Sequence, residues 1–334
     1  MQELLRTTDP GLLSWVKALL ADAGIGVVAF DTHMPALDGG IGAPPRRLMV
    51  ADGDLEAARR LIAAAEPRDS DMFSSAIGSP SAIGSPESGL SDISRDRLLG
   101  GRLELAQPRR GYRVAVDAVL LAAAVAARPG ERVLELGSGV GAAALCLAHR
   151  VPEVAVVGLE IQPKLAALAA GNIAANGLTE RVRVVTGDLC APPPELAPGS
   201  FDRVMANPPY LRAGSHTPSP DRSRALANGE DGAELADWIV AAARMLRPKG
   251  YLTLIHRADR LDEAISLLHK GFGALVVFPL WPRAGVAAKR VLLTGRLGAA
   301  SPARLAPGLA LHEAGGGFTA AAEAVLRDGC GLEL

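Results

Sequence analysis

Apolar and polar positions along the chain fall into two patterned regions separated by a stretch with little pattern. From residue 95 onward, short apolar runs alternate with longer stretches of helical spacing. Runs at 131–136, 153–159, 181–186, 201–206 and 250–256 read as strands, with helices between them at about 140–149, 162–175 and 231–246. Such alternation predicts a parallel, doubly wound sheet with helices on both faces. The tail departs from this. "ALVVFPL" and "KRVLLTGRL" are strand-like, but only "WPRAGVAA" separates them, and so short a connection favours an antiparallel pair. The sheet is expected to end in one reversed strand.

Residues 1–68 read differently. "QELLRT", "IGVVAFD" and "RRLMVAD" are strand-like. "DPGLLSWVKALLADAG" reads as a helix with Asp9 as N-cap, Pro10 at its first position and Gly24 as its stop, and "GDLEAARRLIAAAE" as a second helix. The order β-α-β-β-α predicts a small α+β, ferredoxin-like unit. It is similar to a small signal-transducing domain of bacteria, which implies an accessory role with an unknown ligand or partner. Residues 69–94 carry SAIGSP twice and few large side chains, the composition of a flexible Ser/Gly/Pro linker. The doubly wound domain is then expected over 95–334.

Composition narrows the classes. A hydrophobic fraction of 49% against 21% charged residues excludes a chain disordered throughout. Basic and acidic residues number 35 and 36, so any nucleic-acid surface must be a local patch. Cys146, Cys190 and Cys330 lie far apart with no C-x-x-C pair, which argues against a zinc site or disulfide framework and for a reducing cytoplasm, with no metal expected. "MQELLRTTDPG" lacks the basic-then-apolar order of a signal peptide. The longest apolar run, 114–126, is too short to span a bilayer and contains Asp117, so no membrane association is expected.

Candidate chemistry begins at "RVLELGSGVGAAALCLA", residues 132–148, a strand, glycine loop and helix. Gly137, Gly139 and Gly141, with Ser138 between the first two, let the backbone turn tightly and a ligand approach a helix N-terminus. The spacing is G-x-G-x-G, not the dinucleotide G-x-G-x-x-G. Glu135 stands where a pyrophosphate would sit. A carboxylate repels phosphate but suits a ligand with an amino group, and S-adenosylmethionine has a cationic amino-acid end and no phosphate. The next strand ends at Glu160, placed to accept from ribose hydroxyls, followed by Ile161, which can pack on an adenine face. The third leads to "TGDL", where Asp188, next to Leu189, can accept from an adenine amino group.

The fourth strand runs straight into Asn207-Pro208-Pro209-Tyr210. An amine conjugated to a ring is a poor nucleophile because its lone pair is delocalised. Two fixed acceptors that grip its hydrogens can free that lone pair. The Asn207 side-chain oxygen and the Pro208 carbonyl suit the task, since proline holds the backbone rigid, and Asn207 is a candidate for donor contact as well. Tyr210 offers a face on which an extruded base can stack. Glycine loop, Glu160, "GDL" and "ANPPY" in this order resemble the class I S-adenosylmethionine-dependent methyltransferases of the N-P-P-Y type, over residue 95 to the end. The resemblance implies a Rossmann-like seven-stranded sheet and methylation of a planar nitrogen: adenine N6, cytosine N4 or a glutamine amide.

Residues 95–113 hold Arg95, Arg97, Arg102, Arg109, Arg110 and Arg113 against Asp96 and Glu104, a local net of +4 that suits phosphate contacts. "QPRRGYRVAVDAVLLAA", "LIHRADRLDEAISLL", "PLWPRAGVAAKRVLLTGR" and "LALHEAGGGFTAAAEAVL" resemble the branch of bacterial enzymes that methylate N6 of the valine-tRNA adenosine just 3′ of the anticodon. This implies Arg113 and Asp117 in the donor pocket, Lys289 and Arg290 on RNA beside Arg97, Arg102, Arg109 and Arg110, and tRNA as partner. The sequence departs from that branch in its N-terminal unit and in the long loop 212–232, whose Arg212, Arg222 and Arg224 are candidates for RNA contact. Glutamine-N5 methylation of release factors shares N-P-P-Y and is the alternative, as are rRNA or DNA substrates. A donor-binding regulator without catalysis stands against an intact Asn207.

Overall fold

The computed structural model describes residues 2–7, 16, 20, 25–31, 46–55, 57–59, 62, 93–109, 113–210 and 233–334. The chain divides into two compact units, Met1–Glu87 and Ser88–Leu334. The proposed linker lies outside the described residues up to 92, and Ile93 already begins a strand.

In the first unit, strands β1 (Gln2–Thr7), β2 (Val27–Asp31) and β3 (Arg46–Val50) form an antiparallel sheet in the order β1-β3-β2. Strict alternation would expose one of two adjacent leucines. A bulge between Glu3 and Leu5 instead buries both Leu4 and Leu5. Helical Val16 and Leu20, and Leu55, Ala58 and Ile62, complete the core at i, i+4 and i, i+3, i+7 spacings. The strand order is that of a ferredoxin-like unit without its last strand, in keeping with the expected fold.

The second unit opens with an unforeseen hairpin, β4 (Ile93–Leu98) and β5 (Leu103–Pro108), built from the arginine-rich segment. Leu103, Leu105 and Gln107 point inward by the period of two, while Arg95 and Arg97 lie exposed. Then follow α1 (Val116–Ala124), β6 (Arg132–Leu136), α2 (Ala142–Arg150), β7 (Ala155–Glu160), α3 (Pro163–Ala175), β8 (Val182–Thr186), β9 (Phe201–Ala206), α4 (Leu235–Met245), β10 (Leu246–Arg257), α5 (Leu261–Leu268), β11 (Phe272–Arg283) and β12 (Arg290–Leu297). The hairpin is tied to the body by amides one turn apart at the C-terminal end of α3, Asn172 in its last turn and Asn176 just past it. Asn172 and Asn176 each accept from and donate to one backbone residue of β5, Ala106 and Glu104 respectively, at 2.7–2.9 Å.

The sheet runs β8-β7-β6-β9-β10-β12-β11. Its first five strands are parallel, and β12 is antiparallel to both neighbours. The reversed strand is thus present, but it is inserted between β10 and β11 and is not the sheet's edge. Two short strands extend the expected seven, β13 (Arg304–Leu305) and β14 (Leu309–His312), both parallel to β11, before α6 (Ala320–Leu326). One apolar layer packs α1, α2, α3 and α6 against the sheet, and the other packs α4 and α5. Strand order reverses at β6 and β9, and a crevice at such a switch point is where open α/β sheets bind ligands.

Candidate functional site

Register places the motifs side by side. Leu136 pairs with Leu159 on one side and with Ala206 on the other, so the glycine loop leaves the sheet between Glu160 and Asn207. Glu160 in turn pairs with Thr186, which brings Asp188 to the same rim. Four strand ends therefore converge on one rim, as parallel strands must when each motif stands at or just past the last residue.

Left-handed backbone at Gly137, Gly139 and Gly141 (φ 65°, 55° and 85°) curls the loop so that the Gly137 and Ser138 N–H groups both donate to the Leu159 carbonyl. At Gly137 the close approach is as binding as the φ: a Cβ there would stand 2.5 Å from the buried Trp238 ring of α4. Gly137→Ala should therefore cost at least ~1–2 kcal/mol of stability from backbone strain and weaken donor binding, read by thermal unfolding with and without donor. An unchanged melting temperature would remove the loop's need for glycine.

Electrostatics favour a cation in this crevice. Glu135 and Glu160 are both buried, and their hydrogen bonds come from backbone N–H groups. Glu135 accepts from Ala144 in the first turn of α2 at 2.9 Å, while Glu160 accepts from Gly139 at 2.8 Å and Gln162 at 2.9 Å. Burial pushes the Glu135 carboxyl up to about 8, with the Glu160 charge adding to the rise, and burial likewise raises Glu160. Two buried acids, held by backbone N–H groups and not by a basic side chain among the described residues, fit a ligand with a positively charged amino-acid end and reject one with phosphates. Each carboxylate oxygen keeps lone-pair capacity for ribose hydroxyls or an ammonium. At the rim Ile161 is 52% exposed and free to cover a planar ring, Leu189 is half-buried, and exposed Asp188 accepts from the Cys190 N–H at 2.8 Å. The donor set fits S-adenosylmethionine.

Asn207 follows β9 directly, with Pro208 and Pro209 buried behind it. The Tyr210 hydroxyl lies 2.7 Å from Asn207 Oδ1 and 2.5 Å from Asp117 Oδ2. Asp117 Oδ2 also accepts from Arg290 Nε at 3.1 Å, and the Arg290 guanidinium lies over the Tyr210 ring, 4.3 Å from its centroid. Arg290 is thus buried at 5% exposure beneath the tyrosine, and the surface RNA role expected of it is replaced by a structural one. Only the ring face away from Arg290 is left for a base. The Arg260 guanidinium, ion-paired with Glu263, holds the Tyr210 backbone carbonyl at 3.4 Å. Beside the tyrosine, His256 (ring centroids 5.7 Å apart) is fully buried and pushed down to about 3 by burial and the Arg260 charge. Among the described residues, both His256 nitrogens, Ser138 Oγ, Asp117 Oδ1 and Trp238 Nε1 are buried without hydrogen-bond partners, as are Ser200 Oγ and His312 Nδ1 elsewhere in the chain.

Other expected residues lie elsewhere. Arg113 clamps the hairpin's end, meeting Asp96 at 3.2 Å, Ser94 Oγ at 3.0 Å and the Pro108 carbonyl at 3.1 Å. Arg102 binds the Arg327 and Leu99 carbonyls. Arg97, Arg109 and Lys289 are exposed, while Arg110 and the loop 211–232 lie outside the described residues. Sequence reasoning assigned no role to Trp238, His256, Arg260, Asn172 or Asn176. "LIHRADR" stood out as a string, but nothing local shows that its histidine and second arginine pack on a tyrosine some fifty residues earlier.

Among the described residues no cluster of three metal-ligating side chains occurs, and no helix is long and apolar enough to cross a membrane.

Comparison with known proteins adds names to this geometry. Residues 1–66 match the family described as "Putative prokaryotic signal transducing protein", and residues 113–278 match the methyltransferase small domain. A tRNA1(Val) (adenine(37)-N6)-methyltransferase of Porphyromonas gingivalis is 35% identical over 48% of this chain and 65% of its own length, so the chain spans just under two thirds of that relative. Its counterpart in Aeromonas hydrophila is 33% identical over 57% of this chain and 78% of its own. A release factor glutamine methyltransferase of Gloeobacter violaceus is 34% identical over 42% of the chain and 50% of its own length. Among solved structures, a predicted O-methyltransferase of Agrobacterium tumefaciens superposes with a TM-score of 0.55 at 27% identity, over 65% of this chain and 98% of that one.

Proposed function

The chain belongs to the class I S-adenosylmethionine-dependent methyltransferases of the small-domain family, and from that premise we propose that it methylates N6 of an adenosine in tRNA, the valine-tRNA adenosine 3′ of the anticodon being the specific candidate. The observation that carries the reading is the juxtaposition of Asn207 with a buried acidic donor crevice, one strand apart in register. Two relatives whose names specify that adenosine support the substrate.

When bound, S-adenosylmethionine supplies an electrophilic methyl group on a sulfonium centre. Glu135 holds its ammonium, Gly137 to Gly141 admit it to the α2 N-terminus, Glu160 takes the ribose and Asp188 the adenine amine. The Asn207 oxygen and the Pro208 carbonyl accept the acceptor amine's hydrogens and so localise its lone pair. Pro209 stiffens the turn, and the free face of Tyr210 stacks on the extruded base. Positioning supplies most of the acceleration in such a site. No step requires a metal.

The hairpin supports RNA as the partner. Asn172 and Asn176 fix β5 to the catalytic body, which leaves Arg95, Arg97 and Arg109 exposed on a rigid platform. Lys289 and, outside the described residues, Arg110 extend the candidate surface. Changing Arg97 and Arg109 to glutamine should weaken tRNA binding and reduce the slope of log K against log salt by about 1 for each phosphate that the variant no longer neutralises. An unaltered slope would remove the hairpin from the interface. With tRNA as the substrate, the cytoplasm is the compartment that goes with this reading.

Release-factor glutamine is the second reading, favoured by the Gloeobacter relative. Incubation with labelled donor and total tRNA, ribosomal RNA or release factor separates the two. N6-methyladenosine in digested tRNA is the expected product, and label confined to a release-factor glutamine would sink the proposal.

A further inference from the structure

The Tyr210 hydroxyl has two oxygens within hydrogen-bond reach and one proton to give. Arg290 is a donor only and the Asp117 carboxylate an acceptor only, so their ion pair leaves the carboxylate to take whatever proton the phenol offers. The phenol therefore donates to Asp117 Oδ2, its shorter contact at 2.5 Å. Its lone pairs are then what faces the Asn207 amide, 2.7 Å away. An oxygen presenting lone pairs is a partner for N–H, not for C=O, and the two ends of an amide are assigned by such logic. The amide atom 2.7 Å from the phenol is Oδ1 as placed; a half-turn about Cβ–Cγ, which leaves the side chain's shape unchanged, would set the nitrogen there and turn the oxygen away.

We propose that Asp117 and the Tyr210 hydroxyl are positioning residues that set the orientation of the Asn207 amide, so that its oxygen faces the amine to be methylated. Arg290 holds Asp117 and backs the tyrosine ring, and Arg260 holds the Tyr210 carbonyl, so in the chain Arg290–Asp117–Tyr210–Asn207 both Asp117 and Tyr210 are held by groups other than Asn207. An asparagine without this chain can present NH2 to the acceptor as readily as its oxygen, and an NH2 cannot accept the amine's hydrogens. The consequence for catalysis rests on the reading of Asn207 as an amine-gripping group.

A double-mutant cycle on the full chain tests the idea. Tyr210→Phe keeps the ring and the Arg290–Asp117 pair, and it should lower kcat by up to about a hundredfold with KM for tRNA little changed. Asp117→Asn should lower kcat comparably, and the double variant should fall no further, because both act through one phenol proton. Multiplicative losses, or an unchanged kcat in Tyr210→Phe, would overturn the proposal. Asp117→Asn leaves the guanidinium without its carboxylate and can cost the fold, so Tyr210→Phe carries the test by itself.

A second readout needs no substrate. In 15N-labelled protein, the Asn207 NH2 resonance, identified by its loss in Asn207→Ala, should shift in Tyr210→Phe. An unmoved resonance overturns the chain whatever the substrate. A shifted resonance in a protein that methylates no RNA keeps the chain and sinks the tRNA reading instead.

Discussion

Replacing Asn207 with alanine should reduce methyl transfer by at least about 10²–10³-fold, the cost of one preorganised hydrogen-bond acceptor or donor in a water-excluded site, while donor affinity stays within a few-fold of wild type. The two halves of this expectation have separate structural causes. Asn207 lies beyond β9, and the other proposed donor contacts, Glu135, the glycine loop and Glu160, stand on β6 and β7, so truncating the amide leaves them in place. The backbone of the turn is kept by Pro208, Pro209 and the Arg260 contact to the Tyr210 carbonyl, so the loss is of one oxygen and not of the loop. Single-turnover transfer from labelled donor gives the first quantity and calorimetry the second. Retained transfer would remove the amide from the reaction, and lost donor binding would show that Asn207 belongs to the donor site instead.

How far this could be read in advance depended on whether the determining contacts are local. A glycine loop, the acids at the ends of the next two strands and Asn207-Pro208-Pro209-Tyr210 are signals because each needs its neighbours in sequence: a turn, a strand end, a rigid carbonyl. Parallel strands then bring them together without further instruction, and the crevice between β6 and β9 follows from alternation alone. The hairpin β4–β5 was hidden because its exposed face is charged and only Leu103, Leu105 and Gln107 mark its inner one. It needs Asn172 and Asn176, some seventy residues on, to exist as a docked element. Arg290 was misplaced for a related reason. A cation beside Lys289 looks like a solvated pair, and only the antiparallel insertion of β12 carries it beneath Tyr210 to Asp117. Burial of a charge is decided by its partner, and the partner lies 173 residues away.

Donor affinity should rise with pH by up to about tenfold per unit until pH reaches about 8, and then level off. Glu135 causes it. Burial, with the Glu160 charge added, holds its carboxyl up at about 8, against the single opposing hydrogen bond from Ala144. In the unliganded protein at pH 6 to 7 this group therefore keeps its proton. An ammonium group arriving beside it favours the carboxylate, so binding expels that proton, and an equilibrium that releases a proton strengthens as pH rises. Stability of the unliganded protein has the opposite sign. The folded carboxyl binds its proton more tightly than the unfolded one, whose ordinary value is 4.5, so this group withdraws stability as pH climbs from about 4.5 to about 8. Glu135→Gln should flatten both dependences and bind the donor more weakly at pH 8.5. The donor's own amine also titrates, but equally for both proteins, so the ratio of wild-type to Glu135→Gln affinity isolates the carboxyl. Calorimetry in two buffers of different ionisation enthalpy counts the proton directly. A ratio that does not change between pH 6 and 8.5 would place the donor's ammonium away from Glu135 and leave that acid a buried pin between β6 and the first turn of α2.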